Sequence, residues 1–105
     1  MADPIYLHAW KISEEIHHRV FAIDDARLSP GMMSALAGDL AVKASELRVA
    51  FRRANMIAKL ELLESRIADL RKSSRDVGGK ISRLQSAVVG VHMGAYSLAH
   101  PNTDE

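Results

Sequence analysis

The stretch Glu14-Glu15-Ile16-His17-His18 holds the densest group of potential metal ligands in the 105-residue sequence. It contains two overlapping Glu-x-x-His pairs, the spacing that places a carboxylate and an imidazole on one helical face in di-iron bundles. A centre of that kind also needs a second Glu-x-x-His and further inward glutamates, and the sequence has no second copy. Glu14 and His18 are equally an i, i+4 pair of the sort common on solvated helices. The group is therefore read as surface, and no metal or other cofactor is assigned. His8, His92 and His100 are scattered and are read as structural or exposed. Val77-Gly78-Gly79-Lys80-Ile81-Ser82 carries glycines and a lysine, as a phosphate-cradling loop does. It lacks the upstream glycine at the required spacing, the Ser or Thr directly after the lysine and a preceding strand. Gly90-x-x-x-Gly94, flanked by Ala87 and Ala95, lets a neighbouring backbone approach, which is packing rather than chemistry. The lack of cysteine excludes a disulfide scaffold, a cysteine-ligated zinc site and a thiol nucleophile. No serine sits on a strand-to-helix elbow, and no enzymatic activity is expected.

The remaining constellation is basic. The formal net charge of +1 is a sum of unlike parts: −3 over residues 1–42, +6 over 43–83 and −2 over 84–105. The middle segment holds Lys43 together with the candidate nucleic-acid contacts Arg48, Arg52, Arg53, Lys59, Arg66, Arg71, Lys72, Arg75, Lys80 and Arg83. Guanidinium groups match phosphate oxygens bidentately and stay charged. The competing reading is a solvated face neutralised by Glu46, Glu61, Glu64, Asp69 and Asp76. The five aromatic residues are not interleaved with the basic run. Binding of RNA or DNA would thus run through the backbone, weaken steeply with salt and read few bases.

Helices must position these groups. Asp3-Pro4 is an N-cap followed by proline at the first helical position. Ile5, Ala9, Trp10, Ile12, Ile16, Val20 and Ile23 then recur at helical spacing, predicting a helix over 4–23. Ser29-Pro30 repeats the start signal, and Met33, Leu36, Leu40, Ala44, Leu47 and Phe51 predict a second helix over 30–53. Met56, Leu60, Leu63, Ile67 and Leu70 predict a third over 56–76. On one unbroken helix these two stripes would lie about 140° apart. A turn near Arg53-Ala54-Asn55 is preferred to a continuous helix over 30–76, with Asn55 best able to take the turn's unusual dihedral. Gly78-Gly79 reads as the next breaker. After it Ile81, Leu84, Val88, Val91, Ala95 and Leu98 form a heptad stripe over 81–99, ended by Pro101. The expectation is one all-α domain over 1–100, an antiparallel up-down four-helix bundle, with a disordered tail over 101–105. No apolar run reaches the ~18 residues of a membrane span, and the N-terminus lacks signal-peptide character. A cytoplasmic protein is expected.

The order of features also resembles a known family. Pro4-Ile5-Tyr6 and Trp10 open the first helix, Arg27 precedes the second, and Phe51-Arg52-Arg53-Ala54-Asn55 lies between second and third. Leu62 with Glu64, Leu70-Arg71, and Ile81-Ser82 with Gln85 follow. This resembles the four-helix-bundle family that includes the accessory variability determinant proteins of diversity-generating retroelements and the intervening-sequence proteins of bacterial ribosomal RNA genes. Two departures stand out. The stretch from Asn55 to Ile81 is longer by roughly two helical turns, and Met93-Gly94-Ala95-Tyr96 replaces a glycine-rich close ending in tryptophan. The resemblance implies a non-enzymatic basic homo-oligomer, ring-like, that binds a reverse transcriptase with its template RNA. It makes Arg52 and Arg53 the best-matched contacts. The alternative is a protein-interaction module, such as a secretion chaperone or phage assembly factor, whose exposed heptad stripe recruits a partner helix.

Overall fold

In a computed structural model, which describes residues 3–72 and 75–101, the two proline-led starts form as their caps dictate. The Asp3 carboxylate accepts the Ile5 N–H at 2.8 Å, opening α1 (Pro4–Phe21). The Ser29 hydroxyl accepts the Met32 N–H at 3.2 Å, opening α2 (Pro30–Ser45). A 3-10 turn over Asp25–Arg27 joins them, with Ile23 and Leu28 folded back against the core.

The expected helix over 30–53 is divided in two. After Ser45 the hydrogen bonds tighten, Glu46 donating to Lys43 at 3.1 Å and Leu47 to Ala44 at 3.0 Å, before α3 (Arg48–Arg53) resumes. The Ser45 hydroxyl also donates to the Val42 carbonyl at 2.6 Å, a back-bond that competes with the helical ladder. Glu46 and Leu47 stay right-handed, so Leu47 and Phe51 both remain fully buried.

The turn near Asn55 is a Schellman motif. Asn55 takes φ 59°, Met56 N–H donates to the Phe51 carbonyl at 2.7 Å and Asn55 N–H to Arg52 at 3.1 Å. Residues 30–76 are therefore not one helix. α4 (Ile57–Asp69) ends seven residues short of the expected boundary at 76, and the Ser73–Ser74 part of that expectation lies outside the described residues. The break falls before the glycine pair rather than at it. Asp76 takes the left-handed conformation, φ 54°, and α5 (Val77–Ala99) begins directly after it. Gly78 and Gly79 thus lie in the first turn of α5, not in a linker. A Cβ on Gly79 would sit 2.5 Å from both Asp76 carboxylate oxygens, so a side chain there would displace that exposed carboxylate. Pro101 is an exposed turn residue, and the rest of the expected tail, 102–105, lies outside the described residues.

Among the described residues the fold is all-helical, with five α-helices and no strand. α1 makes its most extensive contact with α5, α5 with α4 on its other flank, and α2–α3 packs on α4 and α1. Phe51, Leu40, Leu47, Leu60, Leu63, Leu84 and Val88 fill the centre, each side chain contributing roughly 2 kcal/mol by leaving water. Among the described residues the one buried polar side chain, Ser13, donates to the Trp10 carbonyl at 2.8 Å. No helix of the described residues is long and apolar enough to cross a membrane.

Candidate nucleic-acid interface

Glu14, Glu15, His17 and His18 of α1 rim one open recess with Lys43 and His92, but their side chains are engaged separately. Glu15 points to α2, where Lys43 donates to it at 2.9 Å and holds its carboxyl below the ordinary carboxylate pKa. It belongs to a ladder along this seam: Asp3–Arg53 at 3.0 Å, His8–Glu46 at 3.4 Å, Glu15–Lys43 and Arg19–Asp39 at 2.9 Å. His17 points the other way, to α5, while Glu14 and His18 remain exposed. Among the described residues, no group of three or more His, Asp or Glu side chains is arranged to hold a metal.

Eight of the ten candidate cations fall into two groups, one before α4 and one after it. At one end Arg48, Arg52 and Arg53 surround an open recess with Ser45 and Val49. The i, i+4 spacing on α3 brings Arg48 and Arg52 together, and the Schellman turn beneath them presents Arg53. After the end of α4 come Arg71, Lys72 and Arg75 in the connection, and Lys80 and Arg83 in the first turns of α5. The 13 residues of α4 between these ends span ~20 Å. Lys59 and Arg66 lie between, with Lys59 running beside Gly94 of α5.

Carboxylates answer half of these cations. Arg48 donates to both Glu64 oxygens at 2.5 and 2.7 Å, which raises its already high pKa. Arg53 pairs with Asp3, and Arg83 with Asp76 at 3.3 Å. Asp69 takes both Arg66 at 3.6 Å and Lys72 at 3.2 Å, and its carboxyl is held low chiefly by the Lys72 hydrogen bond. Arg75 and Lys80 are also engaged. For Arg52, Lys59 and Arg71 no ion pair is found among the described residues. Arg71 lies across α2, its guanidinium 3.2 Å from where a Cβ on Gly38 would stand.

The opposite seam holds an assembly that the sequence reading missed. Phe21 stacks on His17 at 4.5 Å, His17 on His92 at 4.5 Å and His92 on Trp10 at 4.6 Å. Trp10 then meets Tyr96 edge-on at 5.1 Å, and Tyr96 stacks on His100 at 4.1 Å. The signal was present as periodicity: Trp10 and His17 are seven apart on α1, and His92, Tyr96 and His100 four apart on α5. Burial, and then the neighbouring His17, pull the His92 pKa below the ordinary value, against the raising influence of Glu14.

The heptad stripe of α5 is not exposed, contrary to the expectation of a partner-recruiting face. Ile81, Leu84, Val88, Val91 and Ala95 are buried and Leu98 half-buried, because the stripe fills the core between α1 and α4. The exposed apolar side chains of α5 are Val89, Met93 and Tyr96, on its other side. No family model, curated protein or solved structure matches the chain.

Proposed function

We propose that this chain is a non-catalytic helical binding protein that grips the sugar–phosphate backbone of RNA or DNA, acting in the cytoplasm. The five helices are read as an antiparallel bundle of four rods, with α2 and α3 as one interrupted rod. The observation that carries the function is the recess ringed by Arg48, Arg52 and Arg53, on a segment with eleven basic and five acidic residues. Exposed ion pairs are worth about 0–1 kcal/mol, so a phosphate that offers bidentate acceptance displaces Asp3 from Arg53 at little cost. The family resemblance adds RNA as the preferred nucleic acid, a reverse transcriptase as the protein partner, and Arg52 and Arg53 as the leading contacts.

The test is anisotropy of a labelled single-stranded RNA titrated with the full chain across a salt series. Affinity should fall with a log–log slope of about −2 if three phosphates are neutralised. Arg52→Ala should weaken binding uniformly across sequences and reduce the slope by roughly one contact. Failure to bind at low salt removes the reading. A second reading, a protein-interaction module, is favoured by the exposed Val89, Met93 and Tyr96. Capture of a protein partner lost in Met93→Lys, with RNA binding absent, would select it.

A further inference from the structure

C-terminal to Arg83, the outward face of α5 carries no formal charge. Between Arg83 and Asp104 the sequence contains no Lys, Arg, Asp or Glu, in a chain that is 26% charged. Within the helix that face carries Ser86, Val89, Gly90, Met93, Tyr96 and Ser97. Met93 is 66% exposed, Tyr96 43% and Val89 37%. One turn from Met93, Gly90 has no heavy atom within 4 Å of where a Cβ would stand, so it forms a notch open to the outside.

We infer that this face docks a second copy of the same chain, α5 against antiparallel α5, about a two-fold axis crossing the helix between Val91 and His92. That axis sets Met93 of each copy over the notch at Gly90 of the other, and Ser86 opposite Ser97. A two-fold contact must be self-complementary, and a protruding side chain one turn from a notch meets that requirement twice over. The removal of side-chain bulk at Gly90 lets the helix axes approach to the 8–10 Å of ordinary helix packing. A basic or acidic partner finds no counter-charge here, whereas the identical neutral face buries no unpaired charge. From Gln85 to Ala99 the strip is ~22 Å long. The dimer therefore falls at the small end of specific interfaces, below roughly 1,200 Å² in total, and exchanges readily.

Sedimentation of the full chain from a few to several hundred micromolar tests this. The mass should rise from 11.6 kDa towards twice that value and stop there, and added salt should leave the transition in place, unlike nucleic-acid binding. Met93→Lys should hold the chain monomeric across the range, and so should Gly90→Met, which sets side chain against side chain. The double change Gly90→Met with Met93→Gly exchanges protrusion and notch and should restore the dimer. In the unaltered chain, the Met93 methyl resonance should shift with concentration while that of Met32, which is exposed on α2, should not. A monomer at all concentrations, growth beyond two copies, or undiminished association of Met93→Lys would overturn the inference.

Discussion

α1 is held on its two flanks by different physics. Towards α2 and α3 it presents Asp3, His8, Glu15 and Arg19, each facing an opposite charge. Towards α5 it presents Trp10 and His17, both stacked on His92, with Trp10 also edge-on to Tyr96. The first seam alternates in sign along the helix whenever His8 is protonated. A shift by one rung then sets like charges opposite one another, and the ladder specifies register. Its exposed pairs add little stability. The second seam removes apolar ring surface from water and gains roughly 0.5–1.5 kcal/mol per aromatic contact beyond burial. One flank supplies alignment, the other adhesion.

The largest effect should come from breaking the stack. Trp10→Ala removes the ring that touches His92, Tyr96 and His100, and should cost about 3 kcal/mol in urea unfolding, whereas Trp10→Phe should recover much of it. Acid should act next, and on the same seam. The folded-state pKa of His92 lies below its ordinary value of 6.5, so the folded state binds fewer protons than the unfolded one. The stability contributed by neutral His92 is present above about pH 6.5 and is lost as pH falls through the folded value. Groups facing His92 are His17 and Glu14 from α1, with Lys11, His18 and Lys43 around the adjoining recess. His92→Gln should flatten the decline in thermal midpoint between pH 7 and 5, and His17→Gln should reduce it.

The ladder should respond least. Arg19→Ala should lower stability by less than about 1 kcal/mol. Glu15→Lys places two cations together with Lys43, and the exchange Glu15→Lys with Lys43→Glu should recover the original melting curve. A large loss on Arg19→Ala would mean that the ladder, too, holds the fold together.

The parts legible in the sequence are those decided by neighbouring residues. Asp3-Pro4 and Ser29-Pro30 cap their helices, and Asn55 takes the left-handed turn position. Each depends on chemistry within a few residues. The step at Ser45–Leu47 was not legible, because both flanking residues stay right-handed and no breaker marks the place. Gly78-Gly79 misled for a related reason. The first turn of a helix has unpaired N–H groups in any case, and the reversal is made upstream by Asp76. The excess of cations over 48–83 is a matter of counting residues, but their placement depends on where α3 and α4 stop. Their pairing with Asp3, Glu64 and Asp76 crosses between elements. The aromatic seam lay hidden because its members are divided between the first and last helices.

That division bears on how the protein is made. Trp10 and His92 are separated by most of the chain, yet their rings stack. Contacts of such high sequence separation close late, since loop entropy must be lost before they reward it. On the ribosome α1 must wait for α5 to emerge before its adhesive flank is covered, and until then Trp10 and His17 are open to other chains or to chaperones. Trp10 is also the only tryptophan. Its emission therefore reports the joining of the two ends of the chain, and a refolding trace followed by fluorescence will time the last step of assembly rather than the first.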